Sequence, residues 1–104
     1  HQAIQFMLAD MKTKIEASRM LTWKSASESD AGISNTESAA HAKRFAADTA
    51  MEVTTDAVQV YGGYGYSEEY PVARLMRGAK VMQIYEGSSQ VQRMIIGREI
   101  TKDL

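Results

Sequence analysis

Ser34-Asn35-Thr36-Glu37 is followed by Ala39, Ala42, Ala46, Ala50, Val53, Ala57 and Val60, a stripe of small side chains spaced three and four residues apart. The opening four residues match a capping box, in which Ser34 and Glu37 each satisfy a free main-chain donor at a helix start. The stripe lets neighbouring helices approach closely. A long helix over about residues 35–61 is therefore predicted at the centre of the molecule.

The chain upstream has the same period. Ile4, Met7, Leu8, Met11 and Ile15 recur at three and four residues, so residues 3–29 read as an amphipathic helix. Asp30-Ala31-Gly32 breaks it, with Gly32 suited to a left-handed helix end. Downstream, Gly62-Gly63-Tyr64-Gly65 stops the central helix abruptly. The single proline, Pro71, sits where a third helix can start, because the first helical position needs no N–H donor. Val72, Leu75, Met76 and Ala79 give that helix its buried side, up to Met82 or Ile84. A fourth begins near Ser88 or Ser89 and carries Val91, Met94, Ile95 and Ile100. No alternating strand pattern, internal repeat or low-complexity segment interrupts this reading. The expected fold is all-α, an antiparallel four-helix bundle.

Size and charge narrow the function classes. One compact domain accommodates 104 residues, of which 44% are hydrophobic. Twelve Lys and Arg against thirteen Asp and Glu leave a formal charge of −1, so no basic excess points to nucleic acid. With no cysteine, disulfides, thiolate nucleophiles and cysteine metal sites are excluded, which fits a reducing compartment. No apolar run approaches the roughly 20 residues that span a bilayer. The opening His1-Gln2-Ala3-Ile4 has no initiator methionine and enters a helical pattern at once, as expected for a piece of a longer polypeptide or a processed one.

Several motifs have both a chemical and a structural reading. Gly62, Gly63 and Gly65 lack the Lys-Ser/Thr of a phosphate-cradling loop and follow a helix rather than a strand, which excludes both common nucleotide fingerprints. They serve either as a helix stop or as a place where a backbone or planar ligand approaches closely, with Tyr61, Tyr64, Tyr66 and Tyr70 alongside. Glu37 and His41 share a helix face at four residues, yet the repeated Glu-x-x-His set of di-iron bundles is missing, so a surface pair is expected. Arg74, Arg77 and Lys80 are expected to be solvated or to face a subunit. Glu86 stands at a break between helices, before Gly87 and a Ser88-Ser89-Gln90 helix start. There a carboxylate is either a solvated loop residue or a base aimed into a cleft, with helix N–H groups beside it for a polar ligand.

Gln59-Val60-Tyr61-Gly62-Gly63-Tyr64-Gly65-Tyr66, Glu69-Tyr70-Pro71-Val72, Leu75-Met76-Arg77 and Ile84-Tyr85-Glu86-Gly87-Ser88-Ser89-Gln90-Val91-Gln92-Arg93, in this order, resemble the carboxy-terminal helical domain of acyl-CoA dehydrogenases. His1-Gln2-Ala3-Ile4-Gln5-Phe6 resembles the start of that domain, so the likeness covers residues 1–104, and short- and medium-chain members are the most similar. The resemblance implies an FAD-dependent enzyme that desaturates an acyl-CoA thioester between its α and β carbons. Glu86 would be the base that removes the α-proton, while the β-hydrogen leaves as hydride to the flavin. The thioester carbonyl would be held by the main-chain N–H at Glu86 and a flavin ribityl hydroxyl. Tyr85 and Gly87 would flank the acyl thioester, and Ser88, Ser89 and Gln90 would contact the flavin. His1, Gln2, Gln59, Val60, Tyr61, Gly62 and Gly63 would contact the nucleotide portion of FAD, often across a subunit boundary. Implied partners are the acyl-CoA, an electron-transferring flavoprotein and further copies in a homotetramer. The implied compartment is the bacterial cytoplasm or mitochondrial matrix. The alternatives are a non-catalytic helical assembly module of the same fold, or a relative reducing an enoyl-CoA. Two positions depart from the family pattern: Ser88 replaces a commoner threonine and keeps the hydroxyl, and Gly78 replaces the usual aspartate.

Overall fold

A computed structural model describes residues 1–104 as five helices and no strand: α1 Gln2–Asp30, α2 Thr36–Tyr61, α3 Gly63–Tyr66, α4 Pro71–Met82 and α5 Ser89–Thr101. The four long helices form the expected bundle. The addition is α3, a single turn inside the segment read as a helix stop.

Local chemistry sets most of the boundaries. α1 ends in a Schellman motif: Gly32 takes φ 73°, the Ile33 N–H donates to Glu28 C=O at 2.9 Å, and the Gly32 N–H donates to Ser29 C=O at 3.1 Å. Pro71 occupies the first turn of α4. Ser88 caps α5, its hydroxyl accepting from the Val91 N–H at 3.2 Å. The capping box on α2 does not form. Asn35, not Ser34, is the N-cap, and no side chain accepts from the first turn. The Asn35 amide instead donates backward to the main-chain and hydroxyl oxygens of Ser25, both at 3.2 Å, while Glu37 turns toward His41. A tie across the α1–α2 corner displaces the local cap.

α2 is the axis. α1, α4 and α5 each pack against it, and none of these three packs against another. Its most buried positions are small: Ala40 (2% exposed), Ala42, Ala47, Ser38 and Thr49. The expected stripe lies among them, with Ala42 buried and Ala39, Ala46, Ala50, Val53, Ala57 and Val60 half-buried. The ion pair of Lys14 with Glu52 and the Asn35–Ser25 tie fix α1 and α2 antiparallel.

The apolar faces of the outer helices are only partly covered. On α1, Met11 is buried, Ile4 and Met7 are half-buried, and Leu8 and Ile15 are exposed. On α4, Val72 and Ala79 are buried while Leu75 is exposed. α5 turns a polar edge inward, burying Ser89 and Gln92, and leaves Val91, Met94 (72% exposed) and Ile100 outside. The molecule is accordingly long, 50 × 27 × 27 Å, with a radius of gyration of 16.2 Å, against about 13 Å for a compact domain of this length.

The α3 turn folds back on the end of α2. A Cβ on Gly65 would lie 2.6 Å from both the Val58 carbonyl oxygen and the Tyr61 Cβ, whereas one on Gly63 would meet nothing within 4 Å. Gly65→Ala should therefore lower stability by roughly 1–3 kcal/mol, the range for overpacking against rigid neighbours. Gly63→Ala should leave it unchanged or slightly raised. Urea denaturation of the two variants checks the contrast, and equal effects would contradict it.

Candidate functional site

Gln83 to Ser88 form the connection between α4 and α5, and Glu86 lies exposed in its bend. Glu86 has φ 53°, the single non-glycine residue with positive φ. Such a left-handed conformation costs an L-residue about 1–2 kcal/mol, so surrounding contacts must hold it there. Gly87 follows at φ 88°, and a Cβ on it would stand 2.5 Å from the Gln92 amide nitrogen. That amide donates to the Gly87 carbonyl at 3.3 Å. Tyr85, Glu86 and Gln90 are exposed, Gly87 and Ser88 half-buried.

Two α2 side chains secure the bend. The Lys43 ammonium donates to the carbonyls of Met82 (2.6 Å), Tyr85 (3.3 Å) and Gly87 (3.3 Å), and sits 5.8 Å from the centre of the Tyr85 ring. Three donors meet three carbonyls, and the first of them, Met82, is the last residue of α4, where a cation is favoured. One turn further along α2, Asp48 Oδ1 accepts from the Ser89 hydroxyl at 2.7 Å and the Gln83 amide at 2.8 Å, and Oδ2 lies 3.6 Å from Arg93. The Ser89 N–H closes the loop onto Gln83 C=O at 3.0 Å. Burial pushes the Asp48 carboxyl up, but hydrogen bonds from Ser89 and Gln83 and the charges of Arg93 and Arg44 together hold it below the usual aspartate range.

The bend is open on its outer side. The N–H groups of Glu86, Gly87, Ser88 and Gln90 have no acceptor within the chain. A carboxylate beside a row of free N–H donors can take a proton from a ligand while the donors hold a developing negative charge.

The other expected contact residues gather elsewhere. The antiparallel register brings His1 and Gln2, at the start of α1, level with the end of α2, where Gln59, Val60, Tyr61, Gly62 and Gly63 lie. The Tyr70 ring bridges Tyr61 (5.9 Å between centres, edge to face) and Tyr64 (5.8 Å). Gly63 and Gly62 face open space, so nothing inside the chain demands a missing side chain at Gly63. The bend braced by Lys43 and this glycine turn are 19 residues apart on α2, or about 28 Å along its axis. The expected contact residues thus fall into two separate groups on one chain.

The remaining motifs lie apart from both. Glu37 Oε1 and His41 Nε2 form an exposed 3.3 Å pair in a cleft of about 450 Å³ at the α1–α2 corner, shared with Lys24 and Glu28. Arg74 and Arg77 line a second cleft of about 930 Å³ with Tyr66 and Tyr70. Lys80 reaches Gln83 Oε1 at 3.1 Å. Nothing in the structure explains Gly78, where a Cβ would also meet open space. Neither cleft includes Glu86. Lys43 and Asp48, which hold the bend, escape a reading of the sequence alone. The available signal is a lysine and an aspartate on the inner part of an otherwise alanine-rich helix.

The family profile described as Acyl-CoA dehydrogenase, C-terminal domain, matches residues 1–101. The cyclohexane-1-carbonyl-CoA dehydrogenase of Geobacter metallireducens is 53% identical over 103 residues, covering 99% of this chain and 27% of that protein. The short-chain specific acyl-CoA dehydrogenase of Megasphaera elsdenii is 60% identical over 96 residues, covering 92% of this chain and 25% of that protein. A chain in the structure of the electron transferring flavoprotein of Acidaminococcus fermentans superposes with a TM-score of 0.97 at 55% identity, over 99% of this chain and 27% of that one. The chain spans about a quarter of the length of the relatives it matches.

The Asp48 brace has a pH signature. A carboxyl held low in the folded state contributes stability that is complete above its unfolded value, about 3.9. That contribution is lost as pH falls through the lower folded value. Thermal midpoints should therefore drop on acidification below about pH 4, and Asp48→Asn should flatten that limb while lowering the midpoint near neutrality. An unchanged acid limb in the variant would remove Asp48 from this role.

Proposed function

The chain belongs to the acyl-CoA dehydrogenase family, matching its C-terminal helical domain, and from that premise we propose that it is part of a longer flavoenzyme that desaturates an acyl-CoA at the α and β carbons. The observation that carries this reading is the bend at Glu86: an exposed carboxylate in a left-handed conformation, braced from behind, with free main-chain donors beside it.

In this mechanism the Glu86 carboxylate removes the α-proton of the thioester. The Glu86 N–H donates to the thioester carbonyl oxygen, so the charge released by proton removal develops against a donor already in place. Tyr85 and Gly87 flank the acyl group at that point. Flavin adenine dinucleotide, when bound, supplies the acceptor for the β-hydrogen and its electron pair, leaving the enoyl thioester. Ser88, Ser89 and Gln90 are the residues of this bend assigned to the flavin, and of these the Gln90 and Ser88 N–H groups are free to donate. The Ser89 hydroxyl is committed to Asp48, so its contribution would be to hold the helix start in place.

His1, Gln2, Gln59, Val60, Tyr61, Gly62 and Gly63 are assigned to the nucleotide portion. Open space at Gly62 and Gly63 suits a close backbone approach. Their distance from Glu86 fits residues that serve a flavin shared with a second copy of the chain. The uncovered apolar side chains of α1, α4 and α5 fit burial against further domains and copies, in a homotetramer. The electrons would leave to an electron-transferring flavoprotein, the protein named for the Acidaminococcus structure. The acyl group is left open by this domain, because relatives of similar identity are named for a cyclic acyl group and for short-chain specificity.

Glu86→Gln in the intact enzyme is expected to retain flavin absorbance and to lose exchange of the α-proton with solvent. Retained normal turnover would reject Glu86 as the base. A non-catalytic assembly module of the same fold would give a colourless full-length protein. The flavin potential with and without ligand distinguishes dehydrogenation from enoyl-CoA reduction.

A further inference from the structure

The N–H at Glu86 is useful only if it points away from the body of the domain, and nothing on Glu86 itself ensures that. A trans peptide holds its C=O and N–H on opposite sides, and no peptide bond in this chain is cis. The direction of the Glu86 N–H is therefore set by whatever holds the Tyr85 carbonyl, which shares its peptide unit. That carbonyl accepts from Lys43. The same logic applies after Glu86: Gly87 C=O accepts from Lys43 and from Gln92, which turns the Ser88 N–H outward. Met82 C=O, the closest of the three at 2.6 Å, anchors the ammonium against the end of α4. A single side chain thus grips the carbonyls on both sides of a residue in an unfavourable left-handed conformation. The grip comes from α2, the helix to which every other element is attached.

We propose that Lys43 is a positioning residue for the reaction, and that it aims the main-chain N–H of Glu86 at the thioester oxygen by holding the Tyr85 and Gly87 carbonyls on the opposite side. This rests on the reading of Glu86 given above and extends it to a residue 43 positions upstream. Lys43 touches neither substrate nor flavin in this scheme. Its removal frees the two peptide units to rotate, so the carboxylate remains while the donor is lost. Lysine suits the task because its three donors radiate from one point and it carries no acceptor to compete with the carbonyls.

The test uses the intact flavoenzyme and [1-13C]butyryl-CoA as the probe. In a Glu86→Gln background proton removal is blocked, and the main-chain donor is still present. Infrared difference spectra should then show the bound thioester carbonyl shifted to lower frequency than in solution. Adding Lys43→Met should return it toward the solution value, and adding Lys43→Arg should keep most of the shift. With Glu86 intact, Lys43→Met should lower kcat about ten- to a hundredfold, part of what loss of a whole oxyanion donor costs, with KM within about twofold. Should Lys43→Met not accumulate with flavin bound, Lys43→Gln, a shorter neutral donor, is read in the same way. A shift that survives Lys43→Met, or a kcat that does not fall, overturns the role of Lys43 and leaves Glu86 as the base. A carbonyl unshifted in Glu86→Gln alone overturns the main-chain donor itself, and the proposal for Lys43 with it.

Discussion

Close approach to α2 is the constraint on which the structure depends. Helices α1, α4 and α5 do not pack against one another and share this one axis, and three helices can do so because its innermost positions carry Ala40, Ala42, Ala47, Ser38 and Thr49. Larger side chains there would push the outer helices away from an axis that has no second layer behind it. Sharing one axis has a consequence. Each outer helix keeps a face that α2 cannot reach, and Phe6, Trp23, Leu75, Met94 and Ile100 are exposed on those faces. Apolar area of this extent fits the contacts with further domains and copies proposed above.

The same helix holds the bend at Glu86. Lys43 and Asp48 leave α2 for the bend between α4 and α5, one taking carbonyls and the other hydroxyl and amide donors. Their opposite charges match opposite ends: the cation meets the carbonyl end of α4, and the anion meets the amino end of α5. Between them the chain has little freedom, which is how Glu86 can persist with φ 53°. Strain at one residue is balanced by contacts from another element. The bend is braced behind by Lys43 and Asp48 and keeps free N–H groups, which suits the base and adjacent oxyanion donor proposed for it.

Membership of the acyl-CoA dehydrogenase family gives the spacing between the two groups of expected contact residues a meaning. The free donors around Glu86 and the open glycine turn beyond Tyr61 are too far apart for one small ligand. A long dinucleotide shared between copies can use both. Under the proposed function, the uncovered helix faces and the divided site share one explanation: a domain completed by its neighbours.

Interactions between residues close in sequence are legible from the order of the amino acids alone. Gly32 ends α1 and Ser88 begins α5 because the bonds involved reach only a few residues along the chain. Pro71 starts α4 through its own fixed geometry, and the small-residue stripe marks a central helix through periodicity. The resemblance carried by Ile84 to Arg93 leads to the right family for the same reason, being a continuous run. Where a distant contact competes with a local one, the local reading fails: Asn35 turns to Ser25, and the box of Ser34 and Glu37 does not close. The need for glycine at position 65 arises from Val58 and Tyr61, which come into contact only once α3 folds back. Lys43 and Asp48 stand out in sequence only as charges within an alanine-rich helix, and what they hold is not legible there, since their partners lie 35 to 45 positions away. Periodicity reports which face of a helix is buried, whereas only packing in three dimensions decides what a side chain on that face will hold.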